Sequence, residues 1–193
     1  MTVRGCQCKP CRAACKGILR WHPGEGGLAP TAQVAIEMVQ GRVCLVDGTI
    51  TPCWSYDDHG ELWSRKHGTT GFNAQLICLL DGDAVYISDP LPGRTHDAKA
   101  FTTTPVAEII RHSGGGIGDK GYQGCNIATP RKTPPGGELS KGEKANNAVI
   151  SALRAPVEQL VAHFKSWRIF HTDYRRPYIS VFFSLSSPIW VAT

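Results

Sequence analysis

Apolar and polar residues fall into blocks along this chain, and the spacing inside each block predicts an element. "TAQVAIEMV", Thr31 to Val39, reads as one short helix with Thr31 as its N-cap. "RVCLVDGT" then sets four apolar residues, Val43 to Val46, directly before Asp47 and Gly48. Such a continuous run is a strand buried on both faces, and it is predicted to deliver Asp47 at its end. "FNAQLICLL", Phe72 to Leu80, is a second strand, and "DGD" at 81–83 is a hairpin turn into a third, "AVYIS". Three sequential antiparallel strands result.

Beyond the "DPLPGRTHD" loop, Ala98 to His112 places Phe101, Val106, Ile109 and Ile110 at helical spacing, with Pro105 starting the regular part and Gly114 to Gly116 ending it. A very short strand around Ile117 is predicted to carry Asp119 at its C-terminal end. "TPRKTPPGGELSKGEKANNA", 129–148, reads as a long polar loop. In "APVEQLVAHFKSW", Val157, Leu160, Val161 and Phe164 form the buried stripe of an amphipathic helix, flanked by Glu158, with Lys165 on nearly the same side. Pro156 either opens this helix or kinks a longer one begun near Asn147.

Composition bounds the picture. A chain of 193 residues, 41% of them hydrophobic, fits one domain with a real core. No apolar run reaches the ~20 residues of a membrane-spanning helix, and the start "MTVRGCQCKPCRAACKG" lacks the apolar stretch of a signal peptide. A soluble, cytoplasmic protein is expected, and Cys44 and Cys78, inside apolar runs, fit a reducing compartment as small buried hydrophobes. Cys6, Cys8, Cys11 and Cys15 are a zinc-knuckle candidate, but the second well-separated pair of ligands that such sites use does not follow. The alternative for this segment is a poorly ordered N-terminus.

The net charge of +5 is unevenly spread. Residues 1–20 hold five basic and no acidic side chains, residues 21–119 six basic and twelve acidic, and residues 120–193 ten basic and four acidic. An acidic first half beside a basic second half suits gathered cations next to phosphates, and equally two solvated faces of unlike charge.

Three acids stand out, each at the end of a buried element or beside a buried stripe: Asp47, Asp119 and Glu158. Brought together they repel unless cations sit among them, and hard oxygen ligands suit Mg²⁺ or Mn²⁺. Two such ions would support phosphodiester cleavage or strand transfer. "GGGIGDKGYQG" surrounds Asp119 with glycine, which gives up side-chain burial for backbone freedom.

"VDGT" at 46–49, "GDKGYQG" at 118–124 and the spacing Arg154-x3-Glu158-x6-Lys165 resemble the DDE-type transposases of bacterial insertion sequences that share a Harbinger-like nuclease domain. The likeness covers roughly Gly41 to Pro177, and the separations of 72 and 39 residues between the three acids fit it. It implies an α/β, ribonuclease-H-like fold: a five-stranded mixed sheet, three antiparallel strands then parallel ones, flanked by helices. It also implies Asp47, Asp119 and Glu158 as catalytic, metal-binding carboxylates, Arg154 and Lys165 as DNA-positioning residues, and Tyr122 packed beneath the site.

Asp97, in "GRTHDAKAF", matches a further recurring element and competes as a metal ligand, its simpler reading being an N-cap for the following helix. Arg65, Lys66, Lys120, Arg131, Lys132, Arg168, Arg175 and Arg176 are candidates for phosphate contacts. Trp54 and Trp63 are candidates for stacking on an unpaired base or for local packing. Transposon ends and target DNA, and further copies of the chain, are the implied partners, close to the nucleoid.

The expected organisation is a cysteine-rich tail, linker and short helix over 1–40, the nuclease domain over 41–178, and an apolar tail, "ISVFFSLSSPIWVAT", over 179–193. Relatives carry a helix-turn-helix region before the first acid, a tyrosine where this chain has Ser151, and a polar helix after "YRRPY". Both ends therefore read as edges of a truncated gene. A catalytically inactive DNA-binding remnant and a zinc-binding interaction module are the alternatives. The G-x-G-x-x-G of "GIGDKG", Gly116 to Gly121, is not a dinucleotide site, because a helix ends before it where a strand should.

Overall fold

The structure is a computed structural model of the chain and describes residues 30–53 and 59–166. The cysteine cluster, Trp54, Arg168, Arg175, Arg176 and the C-terminal tail lie outside the described residues.

A helix, α1 (Ala32–Val39), capped by the Thr31 hydroxyl as predicted, leads into β1 (Val43–Pro52). After a short 3₁₀ turn at Gly60–Leu62 come β2 (Trp63–Ser64), the long β3 (Thr69–Leu79), β4 (Ala84–Ile87) and β5 (Leu91–Pro92). Helices α2 (Asp97–Thr103) and α3 (Val106–Arg111) precede β6 (Gly115–Ile117), a second 3₁₀ turn at Lys120–Tyr122, and helices α4 (Lys141–Leu153) and α5 (Ala155–Ser166).

Among the described residues one mixed, six-stranded sheet results. β1 pairs antiparallel with β3 and parallel with β6. The far edge of β3 is covered in succession by β2 at Thr69–Thr70, β5 at Phe72–Asn73 and β4 from Leu76. The three antiparallel strands and a parallel addition were expected, but the sheet has six strands rather than five, and among the described residues β6 is its single parallel strand where more than one was expected. The two extra short strands arise because β3 is eleven residues long, and its edge needs more partners than the hairpin alone supplies.

Helices cover both faces, which is why β1 reads as an unbroken apolar run. Cys44, Val46 and Ile77 pack with Val39 of α1, Phe101 of α2 and Ile109 of α3. On the opposite face, Leu45, Cys78 and Ile117 pack with Ile150 of α4 and with Val157 and Leu160 of α5. Burial pushes the Cys44 thiol up to about 11 and the Cys78 thiol up to about 12, as expected of cysteines that serve as core hydrophobes. Among the described residues no helix is long and apolar enough to cross a membrane.

Several boundaries differ from those predicted. β1 continues six residues past Val46, so Asp47 sits mid-strand, because Thr49, Ile50 and Thr51 are β-branched and pair with β3 through Phe72. The expected single helix over 98–112 is two, broken at Thr104 and Pro105, where the proline has no amide hydrogen to continue the ladder. Residues 141–148 are helical rather than loop. A reciprocal capping box between Ser140 and Glu143 starts α4 there. Pro156 stands in the first turn of α5, two residues past Arg154, at the break from α4.

Candidate active site

Asp47 projects to the α5 side of the sheet, since alternate residues of a strand share a face and Val43 and Leu45 pack there. Its carboxylate lies 3.3 Å from Arg154 Nη2 and accepts the Gly48 amide at 2.9 Å. Arg154 occupies the junction of α4 and α5 with its side chain 12% exposed, and its Nη1 lies 3.5 Å from Glu158 Oε1. One guanidinium therefore spans two of the three acids. Asp47 is pushed up from 3.8 to about 6: burial raises it, Arg154 and the Gly48 amide pull it down, and Asp119 and Asp97 raise it further.

Asp119 follows β6 and caps the 3₁₀ turn, its Oδ1 accepting the Gly121 amide at 2.7 Å. Asp97 is the first residue of α2. It is not the N-cap: His96 holds that place with no side-chain cap bond, one residue too early for the Asp97 carboxylate to take it over. Instead Asp97 Oδ2 binds Lys66 Nζ at 2.8 Å, and its Oδ1 accepts Asn73 Nδ2 at 3.3 Å.

A buried relay supports that carboxylate. The Tyr122 hydroxyl donates to Gln75 Oε1 at 2.5 Å, Gln75 Nε2 donates to Asn73 Oδ1 at 3.0 Å, and Asn73 Nδ2 reaches Asp97 and the Thr95 carbonyl. Tyr122 is fully buried and packs edge-on against Phe101, as its expected place beneath the site requires. Its hydroxyl is held well above the usual phenol range by burial and by the charges of Asp97, Asp47 and Asp119.

Two glycines leave room for the acids. A Cβ on Gly48 would fall 2.6 Å from Asp97 Oδ1, and one on Gly121 would fall 2.8 Å from Asp119 Oδ1 and 2.9 Å from Asp97 Oδ2. Asp97 thus lies beside Asp119 and against the Gly48 face of β1, and its charge is felt by Asp47. Glu158 stands further out, its side chain 60% exposed and tied in through Arg154.

Among the described residues no group of three His, Cys, Asp or Glu side chains is arranged to hold a metal ion. Lys66 and Arg154 take oxygens that a metal would need. Carboxylate oxygens are the kind of donor that suits a hard cation. Asp97 and Asp119 border the space kept by Gly121, and with Asp47 they repel one another, which favours positive charge near them. Lys66 meets part of that demand. Burial would lower its ammonium, but the hydrogen bond and charge of Asp97, with Asp119 and Asp47 behind it, raise it.

The sequence profile of the DDE superfamily endonucleases matches residues 46–183. The chain belongs to that family. It is also 34% identical, over 109 residues, to a probable transposase for insertion sequence element IS702 from Microchaete diplosiphon, a match covering 53% of this chain and 35% of the relative. The chain thus spans about a third of that transposase. No solved structure matches significantly.

The remaining candidates of this DDE domain divide. Arg65 and Lys66 lie in the β2–β3 turn, Lys120 directly follows Asp119, and Lys165 ends α5, all exposed. Arg131 is engaged by Glu143 of α4 at 3.0 Å, and exposed Lys132 follows it in the loop. Trp63 is 47% exposed on β2. Ser151 lies exposed on α4. Asn73 and Gln75 were missed by reading "FNAQLICLL" only as an apolar strand. Their signal was there, since two amides alternate with Phe72, Ala74 and Leu76 and so share one face.

Proposed function

We propose that this domain cleaves and transfers DNA phosphodiesters on a ribonuclease-H-like scaffold, with Asp47, Asp119 and Glu158 as its acids. One observation carries the reading: in a chain of an endonuclease family, Asp47, Asp97 and Asp119 come from three separate elements to act on one another in a half-buried place. Mg²⁺ or Mn²⁺ held there would activate the attacking water or 3′-hydroxyl and neutralise the leaving oxygen. Asp97 is a further ligand in this reading, aimed by the Tyr122–Gln75–Asn73 relay. Arg154 sets the spacing of Asp47 and Glu158. Lys66, 60% exposed, exchanges Asp97 for a DNA phosphate, and Arg65, Lys120 and Lys165 hold neighbouring phosphates.

Nicking of supercoiled plasmid in Mg²⁺ tests the proposal. Asp119→Asn should abolish nicking and leave duplex binding in EDTA within about twofold, as a loss confined to the chemical step requires. Equal nicking by wild type and variant defeats the assignment. A second reading, an inactive DNA-binding remnant, is favoured by the ion pairs of Lys66 with Asp97 and of Arg154 with Asp47. It predicts DNA binding with no metal-dependent nicking by the wild type.

A further inference from the structure

A cleft of about 330 Å³ opens beside the acids, between the β2–β3 turn and the loop that leads into α2. Arg65, Lys66 and His67 line it from the turn, Arg94 and His96 from the loop, and Ile50 of β1 gives it an apolar wall. The five polar residues named are all exposed. The cleft is continuous with the candidate active site, because Asp97 and Asn73 belong to its lining. Lys165 adds to the same positive region: burial lowers the His67 imidazole, and the charges of Lys66 and Lys165 lower it further.

Size and chemistry narrow the occupant. The volume stands at the small end of the ~300–1,000 Å³ typical of ligand pockets, enough for one nucleotide and too little for a base pair. Guanidinium and ammonium groups suit a phosphate, whereas imidazole rings and an arginine plane suit the face of a base. A duplex presents its bases edge-on in the grooves, so only an unpaired nucleotide offers both features to one cleft.

We infer that this cleft is a subsite for one unpaired nucleotide of the DNA strand being processed, with Arg65 and Arg94 on its phosphate and His96 against its base. The inference rests on the proposed action on DNA and adds the form of substrate: a strand end or frayed junction rather than continuous duplex. Arg94 is pre-positioned for the task by a bond from its Nη2 to the Gly60 carbonyl at 3.1 Å.

Fluorescence anisotropy of the full chain in EDTA provides the test, using a labelled duplex with a short single-stranded overhang, its blunt counterpart and its abasic-overhang counterpart. The wild type should bind the overhang about tenfold more tightly than the blunt duplex, the gain expected of one stacked base. His96→Ala should remove the advantage of the overhang over its abasic form, and Arg65→Ala should weaken binding of both overhangs more than of the blunt duplex. Folding of each variant is checked by circular dichroism, and Arg65→Lys, which keeps the charge, should restore part of the phosphate contribution. Equal wild-type binding of overhang and blunt duplex, or an overhang preference untouched by both alanine variants, overturns this inference alone. Failure to bind any of the three DNAs overturns the action on DNA itself.

Discussion

Arg154 reaches Asp47 across 3.3 Å from a break between two helices, joining residues 107 positions apart in the sequence. The same guanidinium holds Glu158, so a single side chain fixes how the third acid stands relative to the first. Its own burial makes this contact consequential, since Asp47 is 19% exposed and Arg154 12%. Removing one partner of such a pair leaves a charge poorly solvated. Arg154→Ala should therefore destabilise the domain by about 2–3 kcal/mol, less than a fully buried pair because both groups retain some water. Urea unfolding in EDTA checks it. Arg154→Lys should recover only part, because an ammonium cannot serve both carboxylates in the fork geometry of a guanidinium.

The raised Asp47 carboxyl predicts a pH dependence of stability in the metal-free protein. In the unfolded chain it titrates near its ordinary 3.8, in the folded one at about 6. Between those values the folded state binds more protons, so this group's contribution is complete below 3.8, falls as pH rises through the window, and is lost above about 6. The fall amounts to at most about 3 kcal/mol from this side chain. Asp47→Asn should flatten that part of the profile, read as the difference in urea midpoint between wild type and variant on either side of the window.

Gly121 and Gly48 predict a separation of activity from stability. Neither carries a positive φ, so alanine is permitted by the backbone and meets trouble at the acids, and at Gly48 also at the Gln75 amide. At exposed Gly121 the added methyl would press on oxygens of both Asp119 and Asp97. Gly121→Ala should lower Mg²⁺-dependent nicking by at least about tenfold while costing about 1 kcal/mol or less in stability. A plasmid assay and a denaturation curve on the same preparation decide it.

How much of this was legible beforehand follows from the range of each interaction. The start of β1, the 81–83 turn and α5 carry their signal within a few residues, as an apolar run, a turn sequence and a helical stripe, so local pattern was enough to predict them. The local capping box of α4 was equally visible in Ser140 and Glu143 and was overlooked beneath the prolines and glycines before it. Asp47, Asp119 and Glu158 could be named as candidates because each follows or flanks an apolar run, although Asp47 stands mid-strand rather than at a strand end. That Asp97 meets Asp119 at Gly121 could not be read, since it depends on how α2 packs against β3 and the 3₁₀ turn after Asp119. Nor does a sequence show that Lys66, from a distant hairpin, would pair with Asp97 rather than face solvent.

The relay beneath Asp97 gives the last prediction. Every link is a buried amide or hydroxyl, and Gln75 is fully enclosed. Tyr122→Phe preserves the ring packing against Phe101 but leaves Gln75 Oε1 without its donor, which should cost about 1–3 kcal/mol. If the relay also orients Asp97, that loss propagates: with Tyr122 silent, Gln75 is free to rotate, Asn73 loses its partner, and the bond from Asn73 Nδ2 to Asp97 weakens. A double-mutant cycle of Tyr122→Phe with Asp97→Asn then shows coupling of at least about 0.5 kcal/mol. Additive costs would mean that the relay only fills the core. Coupling together with reduced nicking by Tyr122→Phe would place a residue at the bottom of the domain among those that aim its acids.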